Sequence, residues 1–271
     1  MFAKIKHIAI VTDDCQRLGA FYESAFKLRR ETSEEGKRFR NAHRAVVVTD
    51  GYVGLNFNFR KPGRPANLDH FGIEVGDVEL VFARLREKYP FIEYLKRPGG
   101  RAFAGISTHD PAGNVFDLSQ EGMENRASIY KENEEWTQER SVHHLTLRVM
   151  DPPSIARFYL DVFEFEQLPS HDGAYHLSDG TIRLVIAPWK IGYFKGMGIE
   201  KPKLDHIGFA VESVEAVKND IERLADSGPS IGGRPIADGP EGEARLKLFA
   251  ECRYGRYHVS DPDGTLLDIS E

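Results

Sequence analysis

Cysteine is nearly absent from the chain, since only Cys15 and Cys252 among 271 residues carry a thiol. Two isolated cysteines cannot form the disulfide framework of a small secreted protein or a cysteine-rich zinc site. Their scarcity fits a reducing compartment, and we therefore expect a cytoplasmic protein.

Long apolar runs and long basic runs are also absent. No run of about 18 apolar residues occurs, which predicts no membrane span, and the N-terminal MFAKIKHIAIV has too short an apolar core for a signal peptide. Lysine and arginine form no long run and the net charge is −6, so nucleic acid is not an expected partner. Hydrophobic residues make up 41% of the chain, as in a globular protein that buries a core.

The chain contains four similar copies of one eight-residue segment. The copies are HIAIVTDD from His7, HFGIEVGD from His70, HLTLRVMD from His144 and HIGFAVES from His206. In the last three copies, apolar residues alternate with the histidine and its small or polar neighbours. This period of two predicts strands that pack one apolar face and carry the histidines on the other face. The closing residue of each copy is predicted to cap a helix, at Asp14, Asp77, Asp151 and Ser213.

The remainder of each half repeats as well. A strand pair surrounds Asp50-Gly51 in one half and Asp179-Gly180 in the other, both typical of hairpin turns. Each half closes with a turn and a strand, DPAGNVFDLS or DPDGTLLDIS. The chain therefore reads strand, helix and strands four times. We predict domains at residues 1–120 and 141–271, joined by a polar linker at 121–140.

An aspartate on the last strand completes a polar set in each half. Asp117 and Asp268 each follow a turn glycine by four residues, and their apolar neighbours point the opposite way. Two histidines and one aspartate thus share a face, namely His7, His70 and Asp117 in the first half and His144, His206 and Asp268 in the second. A buried carboxylate is costly unless it is paired or bound to a cation. Two imidazoles and one carboxylate on one side of a divalent ion form a facial triad, which favours Fe(II), with Mn, Co, Ni and Zn as alternatives. The competing interpretation is that duplication preserved structural histidines.

These motifs resemble those of the vicinal oxygen chelate superfamily, which includes glyoxalase I, bleomycin- and fosfomycin-resistance proteins and extradiol ring-cleaving dioxygenases. The resemblance rests on the four histidine openings, the helices AFYESAFKL and RFYLDVFEF, and DPDGTLLD near the end. It implies an α+β fold of four βαβββ modules, which form two cup-shaped, partly open mixed β-sheets with helices on the outer face. It also implies that the six residues above are the metal ligands, although the last-strand ligand is usually Glu in the family.

Departures from the family pattern bear on the reaction. Glyoxalase I-type enzymes add a carboxylate ligand where this chain has Gly54 and Arg183, so the resemblance leans toward the three-ligand site of extradiol dioxygenases. The acid–base histidine that extradiol dioxygenases carry upstream of the second histidine ligand is missing from KIGYFKGMGIEKPK. Their active-site tyrosine is replaced by His258, with Tyr257 adjacent. We predict His258 or His176 as the proton-transfer residue, with Tyr257 as a further candidate, the alternative being that both histidines are surface residues.

The sequence therefore predicts a metal-dependent enzyme, namely an Fe(II) ring-cleaving dioxygenase acting with O₂ on a small catechol-like compound. A glyoxalase-like lyase or isomerase, and a non-catalytic binding protein for small molecules, remain as alternatives. We also expect a homo-oligomer, because such cups often assemble by their strand edges.

Overall fold

The computed structural model describes residues 2–32, 45–97, 105–120, 138–170, 173–197, 199–228, 230–236, 239–251 and 254–271. Two eight-stranded mixed sheets form its framework, each drawn from one half of the chain and neither closed into a barrel. This arrangement confirms the α+β class, with four strand–helix–strand modules paired into two open sheets.

The described elements of the first half follow the predicted order. They are β1 (Ala3–Thr12), α1 (Cys15–Phe26), β2 (Arg29–Arg30), β3 (Val46–Thr49), β4 (Gly54–Phe59), β5 (Asn67–Val75), α2 (Val78–Lys88), β6 (Tyr94–Lys96), β7 (Ile106–His109) and β8 (Val115–Gln120).

Among the described residues, the second half repeats this order with two additional helices. Its described elements are β9 (Arg140–Val149), α3 (Pro152–Phe163), β10 (Glu166–Leu168), β11 (Tyr175–Ser178), β12 (Arg183–Pro188), α4 (Ile191–Met197), β13 (Lys203–Val211), α5 (Val214–Ser227), β14 (Arg234–Pro235), α6 (Gly239–Glu251), β15 (Tyr257–Ser260) and β16 (Leu266–Ser270).

Both sheets have the same strand order. The first runs β2-β3-β4-β1-β5-β8-β7-β6 and the second β10-β11-β12-β9-β13-β16-β15-β14. The two central strands are antiparallel, and each has a parallel neighbour on its other side. The strands that carry the repeated histidines and the aspartate therefore lie side by side, as β1, β5 and β8 or as β9, β13 and β16.

The predicted helix caps are confirmed. The carboxylate of Asp14 accepts hydrogen bonds from the backbone N–H groups of Gln16 and Arg17, and Asp77, Asp151 and Ser213 cap their helices in the same manner. Each cap satisfies backbone donors that the first turn of a helix leaves unpaired. The four repeated segments thus end in the same local structure.

The two halves share one hydrophobic core. Phe26 of α1 stacks on Phe209 of β13 with ring centroids 4.0 Å apart, and Phe116 of β8 lies 5.6 Å from Phe163 of α3. Tyr22 of α1 also stacks on Phe57 of its own half, with ring centroids 5.2 Å apart. The helices α1 and α3 therefore contribute to a core between the two sheets, which leaves the opposite face of each sheet to form the interior of a cup.

The Asp-Gly turns also join the halves. Residues 50–53 and 179–182 link their strands as four-residue loops, with Gly51 and Gly180 at positive φ. Asp50 accepts a hydrogen bond from the backbone N–H of Val142 at 2.8 Å, and Asp179 accepts one from Ile5 at 2.6 Å. Each loop thereby holds the first histidine-bearing strand of the opposite half.

Part of the predicted organisation lies outside the described residues. This applies to residues 121–137 of the linker and to Cys252, while Cys15 is a buried free thiol. The domain boundaries at 120 and 141 therefore remain a prediction. Among the described helices, none combines the length and apolar character needed to cross a membrane.

Candidate metal centres

The second half brings His144, His206 and Asp268 together, a set that we name the C-terminal centre. Their potential ligand atoms all lie within 4.8 Å of one another. His144 Nε2 is 3.4 Å from Asp268 Oδ2, and the imidazole rings of the two histidines stand nearly perpendicular with centroids 5.3 Å apart. All three residues are buried, with His206 at 0% exposure.

The first half brings His7, His70 and Asp117 together in the same geometry, and we name this set the N-terminal centre. His70 Nε2 lies 3.2 Å from Asp117 Oδ2 and His7 Nε2 lies 3.9 Å from it. Its second histidine is more accessible than that of the other centre, because the side chain of His70 is 16% exposed against 1% for His206.

A glycine opposite the first histidine makes each arrangement possible. Gly208 pairs across the sheet with His144, and Gly72 pairs with His7. A Cβ atom on Gly208 would lie 1.9 Å from the His144 ring, and one on Gly72 would lie 2.0 Å from the His7 ring. Glycine is required at these positions because the imidazole lies directly over the backbone.

The residue before the second histidine is a β-bulge. Along β13, Leu204 pairs with Leu147 and His206 pairs with Thr146, which leaves Asp205 as an extra residue; Asp69 is the extra residue of β5. A bulge suspends the strict alternation of faces. Each bulged aspartate therefore reaches the histidine next to it, and Nδ1 of His206 donates to Asp205 at 2.8 Å, as Nδ1 of His70 does to Asp69.

These hydrogen bonds determine the protonation of the second histidines. A carboxylate only accepts, so Nδ1 carries a proton in both histidines. In neutral His206 the lone pair then lies on Nε2, which is 3.0 Å from the hydroxyl of Thr146. Asp205 is held in turn by Arg148 at 3.0 Å and Arg245 at 2.5 Å. Although burial opposes it, these two guanidinium groups and His206 keep the pKa of Asp205 well below its usual range.

Electrostatics in the C-terminal centre favour neutral histidine beside ionised carboxylate. Burial lowers the pKa of His206. Burial acts against the charge on Asp268, but contacts with His144 and His258 hold the pKa of its carboxyl well below the ordinary range. Neutral imidazole and carboxylate are the forms that ligate a metal ion.

In the N-terminal centre, the positive charge near the carboxylates is a proton on His70. Burial and the proximity of His70 lower the pKa of His7 to about 3. Burial also disfavours the charged form of His70, but hydrogen bonds to Asp117 and Asp69 raise the pKa of this histidine to about 9. His70 is therefore protonated, and its positive charge lies between the carboxylates of Asp117 and Asp69. Ser107 at 2.5 Å and Arg97 at 3.5 Å contact the other oxygen of Asp117.

The residues present fit a divalent ion. Two neighbouring ligand atoms bound to one ion at about 2.1 Å lie about 3 Å apart, close to the separations of 3.2 and 3.4 Å between histidine nitrogen and carboxylate oxygen. The buried Nε2 of His144 makes no hydrogen bond to any residue that the structure describes. Asp117 Oδ2 thus lies within 3.9 Å of both histidines of its centre, and Asp268 Oδ2 lies 3.4 Å from His144.

Two of the three predicted catalytic residues lie in the cup of the second half. His258 Nδ1 is 3.0 Å from Asp268 Oδ1, and His176 Nδ1 contacts the hydroxyl of Tyr254. Tyr257 does not reach the centre: its ring packs against the hydrophobic core beneath Lys218 of α5, because it alternates with His258 along β15. Tyr254 is the tyrosine beside the centre, with its ring 4.9 Å from that of His144.

The sequence reasoning missed the residues that support the ligands. Asp69 and Asp205 stand in a repeated Leu-Asp-His, and Gly72 and Gly208 stand two residues after each second histidine. Both repeats are visible in the sequence. The Leu-Asp-His repeat indicates an imidazole that is hydrogen-bonded to a carboxylate, and the glycine indicates a close approach of the strand backbone to a histidine ring. Tyr254 has no such signal, since it comes from a loop without a counterpart in the described part of the first half.

Gly54 and Arg183 each lie beside the first histidine of their centre. Gly54 pairs with His7 in β4, and Arg183 pairs with His144 in β12. Each centre therefore has three ligand candidates among the described residues.

Solved structures with a similar fold align with nearly the whole chain. The Mn(II)-bound glyoxalase from Novosphingobium aromaticivorans is 16% identical with a TM-score of 0.60, and the match covers 99% of this chain and 81% of that protein. A variant of homoprotocatechuate 2,3-dioxygenase from B. fuscum is 15% identical with a TM-score of 0.61 over 98% of this chain and 70% of that protein. A xylose isomerase-like TIM barrel/4-hydroxyphenylpyruvate dioxygenase fusion protein is 13% identical with a TM-score of 0.61, and the chain spans 48% of its length.

Sequence comparison gives the family directly. No curated protein sequence matches the chain at a significant level. A family model does match both halves, over residues 4–118 and 141–269, which together contain both centres. The chain therefore belongs to the Glyoxalase/Bleomycin resistance protein/Dioxygenase superfamily.

Proposed function

We propose that the chain is a metal-dependent enzyme whose active site is the C-terminal centre, and that it opens the ring of a small catechol-like compound with O₂. The observation that carries this proposal is the buried set of His144, His206 and Asp268, whose ligand atoms lie within 4.8 Å of one another. Fe(II) is the metal that a facial set of two histidines and one carboxylate favours. A bound divalent ion would polarise two vicinal oxygens of a substrate and leave positions open for O₂ or water.

The residues around the C-terminal centre support the second half of the chain as the catalytic half. His258 lies against the carboxylate ligand through Nδ1, which leaves Nε2 to accept a proton from a substrate hydroxyl. The equivalent partner of Asp117 in the first half is Ser107, which has no comparable acid–base capacity. Phe249 stacks on His258 at 4.6 Å and lies 4.7 Å from His206, so it keeps water away from both rings.

A metal-dependent lyase or isomerase is the competing reaction. It would need a base and a polarised carbonyl but no O₂. Arg183 stands where a glyoxalase-type carboxylate ligand would stand, which favours the dioxygenase.

The experiment is anaerobic purification with elemental analysis, followed by measurement of oxygen uptake with a panel of catechols. We expect bound metal, oxygen consumption, and loss of that consumption in His206→Ala but not in His70→Ala. Metal without oxygen uptake would favour the lyase or isomerase. Protein that binds catechols without metal would be a binding protein and would contradict the proposal.

A further inference from the structure

The strand β6 is the outermost strand of the first sheet, and among the described strands it pairs with β7 alone. All three of its residues are exposed. Leu95, at its middle, is 69% exposed, and Phe91, in the turn before the strand, is 63% exposed. An outer strand that carries exposed apolar side chains is a template on which a further strand can pair.

The backbone of β6 points hydrogen-bonding groups outward at Tyr94 and Lys96. The N–H of Arg97 donates to the carbonyl of Gly105 beside β7, which makes these two residues a hydrogen-bonded pair. Hydrogen-bonded and non-hydrogen-bonded pairs alternate along an antiparallel ladder. Leu95 therefore bonds to β7, whereas the N–H and C=O groups of Tyr94 and Lys96 point away from it. Four backbone groups thus face the open edge of the sheet.

The equivalent edge of the second sheet is protected against such pairing. Asp117 and Asp268 hold the same place in the two sheets, and the strand pairings that lead outward from them put Pro235 of β14 in the place of Tyr94. Proline has no N–H to donate, and the neighbouring Arg234 is an exposed charge. Both features keep an edge strand from pairing. The first half has neither proline nor arginine in its edge strand β6.

The segment that contains β6 is complementary to itself. It reads Glu93-Tyr94-Leu95-Lys96-Arg97. Two copies that lie antiparallel with Leu95 opposite Leu95 place each Tyr94 opposite a Lys96. The outward backbone groups of these residues then form hydrogen-bonded pairs, and the two leucines form a closer, non-hydrogen-bonded pair. An ammonium group beside an aromatic ring stabilises such a cross-strand pair.

The same register brings opposite charges together at both ends of the segment. Each Glu93 lies opposite an Arg97 of the other copy. Glu93 is exposed, and Arg97, which contacts Asp117 at 3.5 Å, keeps 22% of its side chain exposed. A guanidinium has five N–H donors, enough to contact two carboxylates. Charge complementarity therefore supports the register that the backbone groups require.

We propose that the protein forms a two-fold symmetric dimer in which the β6 strands of two copies pair antiparallel about Leu95. The first sheets of the two copies then form one continuous sheet. The match of the segment to its own sequence favours a second copy of this chain over an unrelated partner, and a two-fold contact of this kind uses up the edge on both copies. The inference depends on neither the metal nor the reaction.

The test measures the oligomeric state of the full chain by sedimentation equilibrium, and we expect a dimer for the wild-type protein. Leu95→Lys places two like charges against each other on the symmetry axis, and Lys96→Pro removes one outward N–H from each copy. Each change should raise the dissociation constant of the dimer ~10- to 100-fold. Lys96→Pro leaves the hydrogen bonds to β7 intact, because the N–H of Lys96 points away from that strand.

Ile191→Lys is the matched control, since Ile191 is an equally exposed apolar residue, at 75%, in α4 of the second half. It should leave the dissociation constant unchanged. The register is tested with Leu95→Cys, whose two thiols meet on the symmetry axis at the separation of a disulfide. Mild oxidation should cross-link this variant into a covalent dimer, and should not cross-link Ile191→Cys or the wild-type protein.

A wild-type protein that stays monomeric at every soluble concentration would overturn the inference, and another segment of the same chain would then be the candidate to cover β6. A dimer that both Leu95→Lys and Lys96→Pro leave unchanged would lie on another surface and would overturn it as well. Circular dichroism shows whether each variant is folded. Should Lys96→Pro fail to fold, Leu95→Lys and the cross-link still decide, because the side chain of Leu95 is exposed.

Discussion

The hydroxyl of Tyr22, in the first half, donates a hydrogen bond to Asp261, in the second half, at 3.0 Å. Tyr159 makes the reciprocal bond to Asp110 in the first half at 3.2 Å. Each aspartate begins the turn that leads, seven residues later, to the carboxylate ligand of its half. A tyrosine from one half therefore holds the turn that positions a ligand in the other, and the two centres depend on the same interface.

We predict that Tyr22→Phe lowers the free energy of unfolding by ~1–3 kcal/mol, because it removes a donor from a buried carboxylate. Urea denaturation measures this change. Tyr94→Phe is the matched control: Tyr94 is 37% exposed and its ring stacks on Phe82, so its loss of a hydroxyl should change the stability by less than ~0.5 kcal/mol. Equal effects of the two variants would contradict the role of the pair between the halves.

The aspartates that hold the second histidines should tune metal binding. Asp69→Asn removes the acceptor for Nδ1 of His70, and we expect ~10- to 100-fold weaker metal binding at the N-terminal centre. The stability should change little, because the other partner of Asp69, Arg64, is 53% exposed. The metal affinity is measured by competition with a chromophoric chelator. A His206→Ala background restricts this measurement to the N-terminal centre.

Asp205→Asn should behave differently at the C-terminal centre. It weakens metal binding and also leaves Arg148 and Arg245 without their shared carboxylate, which is 1% exposed. Loss of one partner of a buried ion pair costs ~3–5 kcal/mol. Chemical denaturation of the metal-free proteins should therefore separate the two variants. A fully stable Asp205→Asn protein would refute this account of the arginine pair.

The glycine opposite His144 should be indispensable for the C-terminal centre. In Gly208→Ala the new methyl group would overlap the imidazole, and we expect loss of metal from this centre together with ~1–3 kcal/mol of stability. Gly192→Ala in α4 is the control, because a Cβ there meets no atom within 4 Å. Metal stoichiometry by elemental analysis distinguishes the two. A normal metal content in Gly208→Ala would mean that His144 is not a ligand.

Asp261 should make the stability fall as the pH rises. Burial raises the pKa of its carboxyl from 3.8 to about 6, with a further contribution from Asp263, which Arg17 binds, while the Tyr22 hydroxyl acts in the opposite direction. A raised pKa means that the folded state binds the proton more tightly, so this stabilisation is present below pH 4 and is lost as the pH rises through 6.

The corresponding measurement compares the wild-type protein with Asp261→Asn between pH 4 and pH 7. The free energy of unfolding of the wild type should fall by ~3 kcal/mol relative to that of the variant. Asp226→Asn, at an exposed position of α5, should show no such difference. Parallel pH profiles for the wild type and Asp261→Asn would disprove the shift.

The sequence was sufficient to predict the fold and to select six residues that the structure brings together as two sets of three, while their role as metal ligands stays a prediction. Strand alternation assigns His70, His144, His206 and the two aspartates to one face, and the repeat extends this assignment to His7 and places three such strands in each half. The prediction holds because alternation and helix capping are local properties, which neighbouring residues along the chain determine.

The tertiary structure decided what surrounds those ligands. Alternation alone would place Asp205 and His143 on the face opposite to their neighbours, but β-bulges bring both into the cup. Alternation also cannot show that Tyr254 rather than Tyr257 lies beside His144, or that Phe26 of α1 stacks on Phe209 of the opposite half. These features arise from strand register and from contacts between residues far apart in the chain, where burial of apolar surface and of charge, rather than local pattern, determines the position of a side chain.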